Sequence, residues 1–554
     1  MMQYVCRAEG DPAPLGSFPP WFSALLRARG IRSDQEARAF LSPSLAGLHD
    51  PFLLPDMQKT VSLIRDAVRR RDLVLVWGDY DADGVCAASI LLETLREEGA
   101  DVRFHLPSRH REGYGLNADG IRKIAAAGVR LLITVDCGIS NREEAALAKS
   151  LGVSVIITDH HTPPEILPEA DAVMDPLLGD YPFRYLCGAG VALKIAQALQ
   201  GLPGAEKRLD LAALATVADI VPLQGENRVI VSEGLKRIAA SPRPGLRALV
   251  RAAGLTPPLS GGDLAFRLGP RLNAPGRLES AARVVTLLTR ADEPQALEIA
   301  AALEEMNRRR QSEESAVSAE AEEQILRRFV PGQDRLLLAA KEGWNPGLVG
   351  LAAGRLCQKY HLPAVILSVR EDHTAVGSCR SVPGVNMVDL LSRCADLLLR
   401  FGGHAGAAGL SVAEENIPAL AARLNRILLE EADPSVFVPS AEYDLEREAG
   451  SWTEEDLRLL DLLEPTGCGN PAPVFLQSGA DLVSGRRVGR DGAHWKLRLR
   501  DRDGMEVDGI AFGLGAEADQ CYSRVDALYC PVRNDFGGRV RIEARVESVR
   551  PVPE

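Results

Sequence analysis

The sequence predicts an α/β protein of several domains: a parallel-sheet domain, a long connecting helix, a smaller α/β domain and a C-terminal β-barrel. Three observations predict this. Apolar strand-like runs alternate with helical segments between residues 57 and 200. A charged stretch from 292 to about 328 has no helix breaker beyond its first turn. From about residue 474, short alternating runs are broken by Gly and Asp. A chain of 554 residues is also too long for one core.

The bulk composition is typical of a soluble globular protein, with 46% apolar and 25% charged residues. No apolar run is long enough to span a bilayer and no signal peptide is evident, so we expect a cytoplasmic protein without membrane association. Ten scattered cysteines without a Cys-x-x-Cys pair disfavour a disulfide framework or structural zinc. The net charge of −12 argues weakly against nucleic-acid binding, but it does not report local basic clusters.

Residues 1–55 are predicted to form a helical lead-in. The stretch from Trp21 to Gly30 is typical of a short amphipathic helix with a glycine stop. Ser33 can cap a second helix that carries Glu36 and ends near Pro43. The lead-in contains no candidate catalytic or metal-binding residue.

Residues 56–290 are predicted to form the parallel-sheet domain, because strands and helices alternate along the chain. The predicted strands are Leu73–Gly78, Asp101–Leu106, Leu131–Val135, Val153–Thr158 and Ala172–Pro176. The main helices are Val61–Arg71, Gly84–Gly99, one ending at Gly128, Asn141–Leu151 and Leu209–Val217. The segment Leu264–Leu278 is predicted to be a loop because of its glycines and prolines.

Residues 291–330 are predicted to form the connecting helix, and residues 331–433 the second α/β domain. Its strands are expected at Leu336–Ala340 and Ala364–Leu367, around a helix at Gly350–Tyr360. A glycine-rich loop is expected at Phe401–Gly409.

Residues 434–554 are predicted to form a small antiparallel barrel, for which an oligonucleotide-binding (OB) fold is the leading candidate. Basic residues recur there, and either a strand-binding face or an ordinary solvated surface would explain them. They are Arg486, Arg487, Arg490, Lys496, Arg498 and Arg500.

Acidic residues and imidazoles follow three predicted strands of the first domain. They are Asp79, Asp81 and Asp83, then Asp136, then the run Asp159-His160-His161. Each group alone has an ordinary explanation, such as a helix-capping loop. However, the carboxyl ends of strands in an open α/β sheet share one edge, so all three can converge. This ligand set favours Mn²⁺ or Mg²⁺, with Mn²⁺ ahead because nitrogen ligands are present. The carboxylates could hold two ions with Asp136 as a bridge.

The motifs carry a family resemblance. Four of them resemble the motifs of the DHH phosphoesterase superfamily: Asp79-Tyr-Asp-Ala-Asp-Gly, Val135-Asp-Cys-Gly-Ile, Asp159-His-His and Ala218-Asp-Ile-Val-Pro. The run Gly402-Gly-His-Ala-Gly-Ala-Ala-Gly resembles the signature of the companion DHHA1 domain. Three further stretches narrow the resemblance to the RecJ family of bacterial single-strand-specific 5′→3′ exonucleases. They are Pro107–Leu116, Gly269–Leu278 and the lead-in around Phe40 to Met57.

The resemblance implies roles for individual residues. The metal ligands would be Asp81, Asp83, Asp136, His160 and Asp219, with Asp79 either a ligand or a residue behind the ligands. His161 would face the scissile phosphate as electrophile or acid, and Asp159 would orient an imidazole. Phosphates near the 5′ end would be bound by Arg109, Ser378, Arg380, Gly403 and His404, with Asn273 and Arg277 lining the same cleft. Tyr114 could stack on a base or be buried.

The favoured hypothesis is a metal-dependent exonuclease that releases 5′-mononucleotides from single-stranded DNA in recombination and repair. One alternative is a DHH phosphodiesterase of cyclic dinucleotides or short oligonucleotides, which the lead-in and barrel disfavour. Another is a non-catalytic DNA-binding relative, although none of the expected acids is missing. The resemblance suggests a single-strand-binding protein and a RecQ-type helicase as partners, and we expect a monomer.

Overall fold

The computed structural model describes residues 2–8, 14–108, 112–278, 280–520, 522–536 and 539–552. The chain forms two compact units, one of residues 6–304 and 442–554 and the other of residues 1–5 and 305–441. The predicted fold class is confirmed, since a parallel sheet, a long helix, a second α/β sheet and a barrel follow in that order. The predicted phosphate-binding residue Arg109 lies outside the described residues.

The lead-in comprises β1 (Gln3–Cys6), α1 (Pro20–Ala28) and α2 (Asp34–Leu41). The predicted cap is confirmed, because Ser33 accepts a hydrogen bond from the Glu36 N–H and Glu36 completes a capping box. Phe22, Leu25 and Leu26 of α1 share a buried cluster with barrel residues such as Trp452. The lead-in therefore shares a hydrophobic core with the barrel domain.

A five-stranded parallel sheet forms the centre of the larger unit. Its strands are β2 (Leu73–Trp77), β3 (Asp101–His105), β4 (Val129–Thr134), β5 (Ser154–Thr158) and β6 (Ala172–Met174). They lie in the order β3-β2-β4-β5-β6, and every neighbouring pair is parallel. The apolar runs of β2, β4 and β5 are largely buried, as expected for a parallel sheet that is covered on both faces. All five carboxyl ends consequently share one edge.

Helices cover this sheet and continue beyond it. They are α3 (Met57–Arg70), α4 (Ala82–Glu97), α5 (Ala118–Ala126), α6 (Arg142–Ser150), α7 (Gly188–Glu206), α8 (Leu209–Ala218), α9 (Gly225–Ala239), α10 (Pro244–Ala252), the short turn α11 (Gly261–Asp263), α12 (Gly269–Leu278), α13 (Ala282–Thr289) and α14 (Glu293–Leu326). The long helix predicted from residue 292 is confirmed as α14. Helix α4 begins two residues earlier than predicted, which places Asp83 in its first turn.

The prediction of a loop at Leu264–Leu278 is wrong. Residues Leu264–Leu268 form a π-helical turn, and α12 follows directly. Tertiary contacts override the poor helix propensity of this segment. Arg271 is buried and its Nε lies 2.6 Å from Glu304 Oε2. A side chain at Gly276 would lie 2.5 Å from the Tyr80 carbonyl oxygen, so the helix packs closely against the acidic loop.

The smaller unit contains a mixed five-stranded sheet. Its strands are β7 (Leu337–Glu342), β8 (Ala364–Val369), β9 (Thr374–Arg380), β10 (Leu398–His404) and β11 (Ala407–Ala413), in the order β10-β11-β9-β8-β7. Of the described pairings in this sheet, only that of β7 with β8 is parallel. Its helices are α15 (Val349–Tyr360), α16 (Met387–Ser392) and α17 (Ile417–Glu431). The predicted loop around His404 is instead a hairpin, because His404 ends β10 and pairs with Ala407.

The barrel follows a short connection. Its elements are β12 (Ser440–Tyr443), β13 (Leu445–Glu446), α18 (Glu454–Asp461), β14 (Phe475–Val488), β15 (His494–Arg500), β16 (Glu506–Ala511), β17 (Arg524–Phe536) and β18 (Arg539–Pro551). Strand β12 pairs with β1, outside the barrel sheet. The order β13-β14-β15-β16-β18-β17 is closed by pairing of β14 with β17. Closure gives the central strands neighbours on both sides, which is the barrel solution to unpaired strand edges.

Candidate metal centre

The carboxylates and imidazoles predicted at three strand ends do converge in the structure. Three groups place potential ligand atoms within 4.8 Å of one another: Asp79, Asp81 and Asp136; Asp83, His160 and Asp219; and Asp136, His160 and His161. Asp136 and His160 each belong to two groups. The sheet edge thus gathers residues that are up to 140 positions apart in sequence (79 to 219).

Helix N-termini hold two of the acids in place. Asp81 caps α4, and its Oδ1 accepts hydrogen bonds from the N–H groups of Asp83 at 3.0 Å and Gly84 at 3.1 Å. The two oxygens of Asp83 accept from the first N–H groups of α7, Gly188 at 2.6 Å and Ala189 at 2.7 Å. Helix N-termini favour negative charge, so both contacts stabilise ionised carboxylates. No pattern in the sequence indicates that the N-terminus of α7 donates hydrogen bonds to Asp83.

Asp136 has an unusual backbone conformation. Its φ of 59° lies in the left-handed region, which Asp tolerates better than most residues. A Cβ atom at Gly188 would lie 2.6 Å from the Cβ of Asp136, so this close approach requires glycine. The Asp136 carboxylate is thereby buried at 3% exposure beside His160.

His160 lies among the acids. Its Nε2 is 3.0 Å from Asp136 Oδ1 and 3.7 Å from both Asp83 Oδ2 and Asp219 Oδ2. Burial lowers the pKa of His160 despite the raising effect of Asp83. A neutral imidazole is the form that coordinates a metal.

His161 points to a different set of partners. Its Nδ1 lies 2.7 Å from Asp159 Oδ1. Burial alone lowers the pKa of His161, but the hydrogen bond to Asp159 and the negative charge of Asp159 outweigh burial and raise the pKa to about 9. Asp159 is fully buried, and its two oxygens also accept from the N–H groups of Ile139 and His160. Asp159 therefore orients the His161 imidazole.

Tyr114 supplies a contact that the sequence did not reveal. Its hydroxyl donates to the Asp136 carbonyl oxygen at 3.0 Å and lies 3.2 Å from His161 Nδ1. Its ring packs edge-on against the His161 ring at 5.7 Å, yet 49% of the residue is exposed. Tyr114 is therefore only partly buried, and it helps to hold His161.

The acidic cluster is suited to a divalent cation. Burial, followed by the charges of Asp83 and Asp81, raises the pKa of Asp136 well above its ordinary value and that of Asp219 to about 8. Burial and Asp83 also raise the pKa of Asp81. Carboxylates that repel one another in this way are the oxygen donors that Mg²⁺ and Mn²⁺ prefer, and the neutral imidazole favours Mn²⁺.

Asn273 and Arg277 lie on α12 rather than on a loop. Asn273 Oδ1 accepts a hydrogen bond from the Ala82 N–H at 2.7 Å, at the start of α4. Asn273 therefore braces the acidic loop through its oxygen. Arg277 lies half-buried about one helical turn further along α12.

The remaining predicted phosphate-binding residues gather within the smaller unit. Ala407 pairs with His404 on one side and with Arg380 on the other, so these two side chains flank one end of the sheet. Arg380 Nη1 donates to Ser378 Oγ at 2.7 Å. A Cβ at Gly350 would lie 3.0 Å from Ser378 Oγ, which places the start of α15 beside this pair. A helix N-terminus next to an arginine is a suitable environment for an anion.

Gly403 has a conformational reason to be glycine. Its φ is 145°, and a Cβ there would lie 2.5 Å from the Ala407 carbonyl oxygen. The hairpin can therefore close tightly beside His404.

The basic residues of the barrel are mostly paired with acids. The pairs are Arg487 with Asp519, Lys496 with Glu543, Arg498 with Asp508 and Arg500 with Glu506. Arg486 and Arg490 are exposed. Most of the predicted cluster is thus a paired surface, which weakens its attraction for phosphates.

Three family descriptions match the chain. They are the DHH family N-terminal domain at residues 73–218, the DHHA1 domain at residues 333–430 and the RecJ OB domain at residues 443–548. A single-stranded-DNA-specific exonuclease RecJ of Bacillus subtilis is 40% identical over 509 residues, covering 90% of this chain and 63% of that protein. The protein of the same name from Salmonella typhimurium is 33% identical over 580 residues, which cover 99% of this chain and 99% of that protein. The chain belongs to the RecJ family. It spans less than two thirds of the Bacillus relative and nearly all of the Salmonella one.

A solved RecJ structure has the same fold. The crystal structure of Thermus thermophilus RecJ in complex with Mn²⁺ is 32% identical, with a TM-score of 0.83 over 97% of this chain and 76% of that one. The Mg²⁺ complex of the same protein gives a TM-score of 0.77 over 97% and 75%. The RecJ resemblance is therefore confirmed, with its OB domain at the predicted end of the chain. Among the described helices, none combines the length and apolar character that a bilayer span requires.

Proposed function

We propose that this RecJ-family chain is a single-stranded-DNA-specific 5′→3′ exonuclease that uses Mn²⁺ or Mg²⁺ and releases 5′-mononucleotides in recombination and repair. The observation that carries the proposal is the convergence of three overlapping ligand groups at one sheet edge. The named relatives are single-stranded-DNA-specific exonucleases, and the Thermus structures contain Mn²⁺ and Mg²⁺.

The residues fit two divalent ions. Asp79, Asp81 and Asp136 would hold one, and Asp83, His160 and Asp219 would hold the other. Such ions, when bound, offset the charge of the phosphate and provide a water nucleophile near neutral pH. The hydrogen bonds from α4 and α7 hold Asp81 and Asp83 in place before any ion arrives, so little reorganisation is needed.

His161 acts on the scissile phosphate. With Nδ1 donating to Asp159, its Nε2 is the nitrogen left to face a substrate. The hydrogen bond and charge of Asp159 favour the protonated ring, which can stabilise negative charge on a phosphate oxygen or donate a proton to the leaving oxygen.

The smaller unit binds phosphate near the 5′ end of the strand. Arg380 and Ser378 would donate hydrogen bonds to the phosphate, and Gly403 would allow the hairpin backbone to approach the phosphate closely. His404 lies across β11 from Arg380, at the same end of the sheet. Asn273, Arg277 and Arg109 are proposed as further substrate contacts within the larger unit.

Several further expectations stay predictions. The chain is expected to act as a cytoplasmic monomer and to work with a single-strand-binding protein and a RecQ-type helicase. The boundaries at residues 55, 290, 330 and 433 also stay predictions.

The test is digestion of end-labelled DNA by the wild type, Asp136→Ala and Asp101→Ala. Asp101 is an exposed acid at the opposite end of the same sheet, so it controls for loss of a carboxylate. With Mn²⁺, we expect the wild type and Asp101→Ala to degrade 5′-phosphorylated single-stranded DNA and to spare duplex DNA, whereas Asp136→Ala should degrade neither substrate. Full activity of Asp136→Ala would defeat the metal assignment, and selective turnover of a dinucleotide would defeat the exonuclease proposal.

A further inference from the structure

Ile220 has a backbone conformation that its side chain disfavours. It follows Asp219 at the end of α8, and its φ is 61°. This left-handed position just past a helix is one where glycine is favoured. For a β-branched residue such a φ is a true outlier, because both branches crowd the backbone.

The fold gains little from the Ile220 side chain. The residue is 72% exposed, so apolar burial does not offset the strain. The segment around it is fixed by other groups. The Leu223 N–H donates to the Cys468 carbonyl oxygen at 2.7 Å, and Asn227 Nδ2 donates to the Pro222 carbonyl oxygen at 3.0 Å.

Ile220 directly follows a residue of the candidate metal centre. The preceding residue, Asp219, lies 3.7 Å from His160 in the candidate metal centre. Strained residues persist where the surroundings impose them, and they concentrate at functional sites. The exposed apolar side chain of Ile220, one residue after Asp219, is therefore available to a substrate.

We propose that Ile220 packs against the face of the nucleotide base next to the phosphodiester at the metal centre, and so is a specificity-determining residue for unpaired strands. This inference rests on the proposed exonuclease function. A base in a duplex is covered on both faces by its stacked neighbours, whereas a base in a single strand can be unstacked onto an apolar side chain. The contact would thus add affinity only for single-stranded DNA.

The test compares Ile220→Gly with Arg71→Gly. Arg71 ends α3 with a φ of 58°, is exposed, and precedes β2 at the opposite end of the sheet. Both changes remove a side chain from a left-handed position, so neither should lower the melting temperature. For 5′-phosphorylated single-stranded DNA, Ile220→Gly should raise KM by about fivefold or more with kcat within about twofold, as loss of uniform binding predicts. Arg71→Gly should leave both constants unchanged.

Two further arms identify the contact. On a substrate whose terminal nucleotides are abasic, the KM of the wild type and of Ile220→Gly should coincide, because the base is missing from both. Ile220→Leu should keep the wild-type KM, since an apolar side chain remains. Should Ile220→Gly fold poorly, Ile220→Asn tests the same loss, because Asn tolerates the left-handed region.

The inference is overturned if Ile220→Gly and Ile220→Asn retain the wild-type KM. It is also overturned if the KM difference persists on the abasic substrate, which would mean that the base is not what Ile220 contacts. In both cases wild-type digestion of single-stranded DNA stays intact, so the proposed function would stand. Absence of digestion by the wild type would instead defeat the proposed function itself.

Discussion

Arg228 on α9 is the buried arginine whose replacement should affect stability most clearly. It is 2% exposed, and its guanidinium lies 3.7 Å from the Phe40 ring. All of its N–H donors are used by backbone carbonyl oxygens at 2.6 to 3.2 Å. The acceptors are Phe40, Leu462, Leu463, Glu464 and Pro465.

These bonds join three parts of the larger unit: the sheet domain, the lead-in and the segment after α18. That segment follows the C-terminus of a helix, where a positive charge is favoured. Burial nevertheless lowers the pKa of Arg228 to about 10, with the charge of Glu464 acting in the opposite direction. Replacing Arg228 with methionine keeps much of the volume but leaves these carbonyl oxygens without a donor.

We expect Arg228→Met to reduce the free energy of unfolding by about 3–5 kcal/mol, because several buried carbonyl oxygens lose their donor and each unsatisfied buried group costs about 1–3 kcal/mol. Arg228→Lys should recover only part of this, because an ammonium group has fewer donors and no planar fork. The control is Arg237→Met on the same helix, where Nε has one backbone acceptor at 3.3 Å and a loss below about 1 kcal/mol is expected. Urea unfolding monitored by tryptophan fluorescence measures all three. A loss below about 1 kcal/mol for Arg228→Met would refute the reasoning.

Three other predictions concern the site. Asp136→Asn should abolish Mn²⁺-dependent hydrolysis but raise the melting temperature of the metal-free protein, because it removes one repelling carboxylate and Asn tolerates the left-handed backbone. Tyr114→Phe should lower kcat by about tenfold with little change in KM, as measured by initial rates, because the ring remains while the hydroxyl beside His161 is lost. Chelation should stop hydrolysis and lower the melting temperature, and Mn²⁺ at about 100 times its Kd should restore about 2.7 kcal/mol of the free energy of unfolding for each bound ion. An unchanged melting temperature on adding Mn²⁺ would contradict that prediction.

The sequence predicted the sheet and the core of the site because both depend on local pattern. The apolar runs of β2, β4 and β5 identify buried parallel strands, and the acids that follow them must meet at one edge. Asp219 required the family resemblance, because it follows a helix rather than a strand. The contact of Tyr114 with His161 was not predicted, because nothing in the spacing of these residues indicates that they meet.

Cross-strand register explains why most basic residues of the barrel are paired with acids. Strands β15 and β16 place Arg498 opposite Asp508 and Arg500 opposite Glu506. The acids and bases are several residues apart in sequence, so composition alone shows a basic run, whereas the hairpin pairs opposite charges. Paired in this way, these arginines would contribute less to strand binding than their number indicates.

The N-termini of α4 and α7 stabilise the acidic centre. Five aspartates lie close together, and burial and mutual repulsion raise the pKa of three of them. Without compensation, such a cluster would oppose folding before metal binding. The starts of α4 and α7 donate backbone N–H groups to Asp81 and Asp83, and they place the positive ends of two helix dipoles against the negative charge. The fold can thus preform an anionic site while leaving Asp136 and Asp219, which these two helix starts do not hold, as the groups that gain most from a cation.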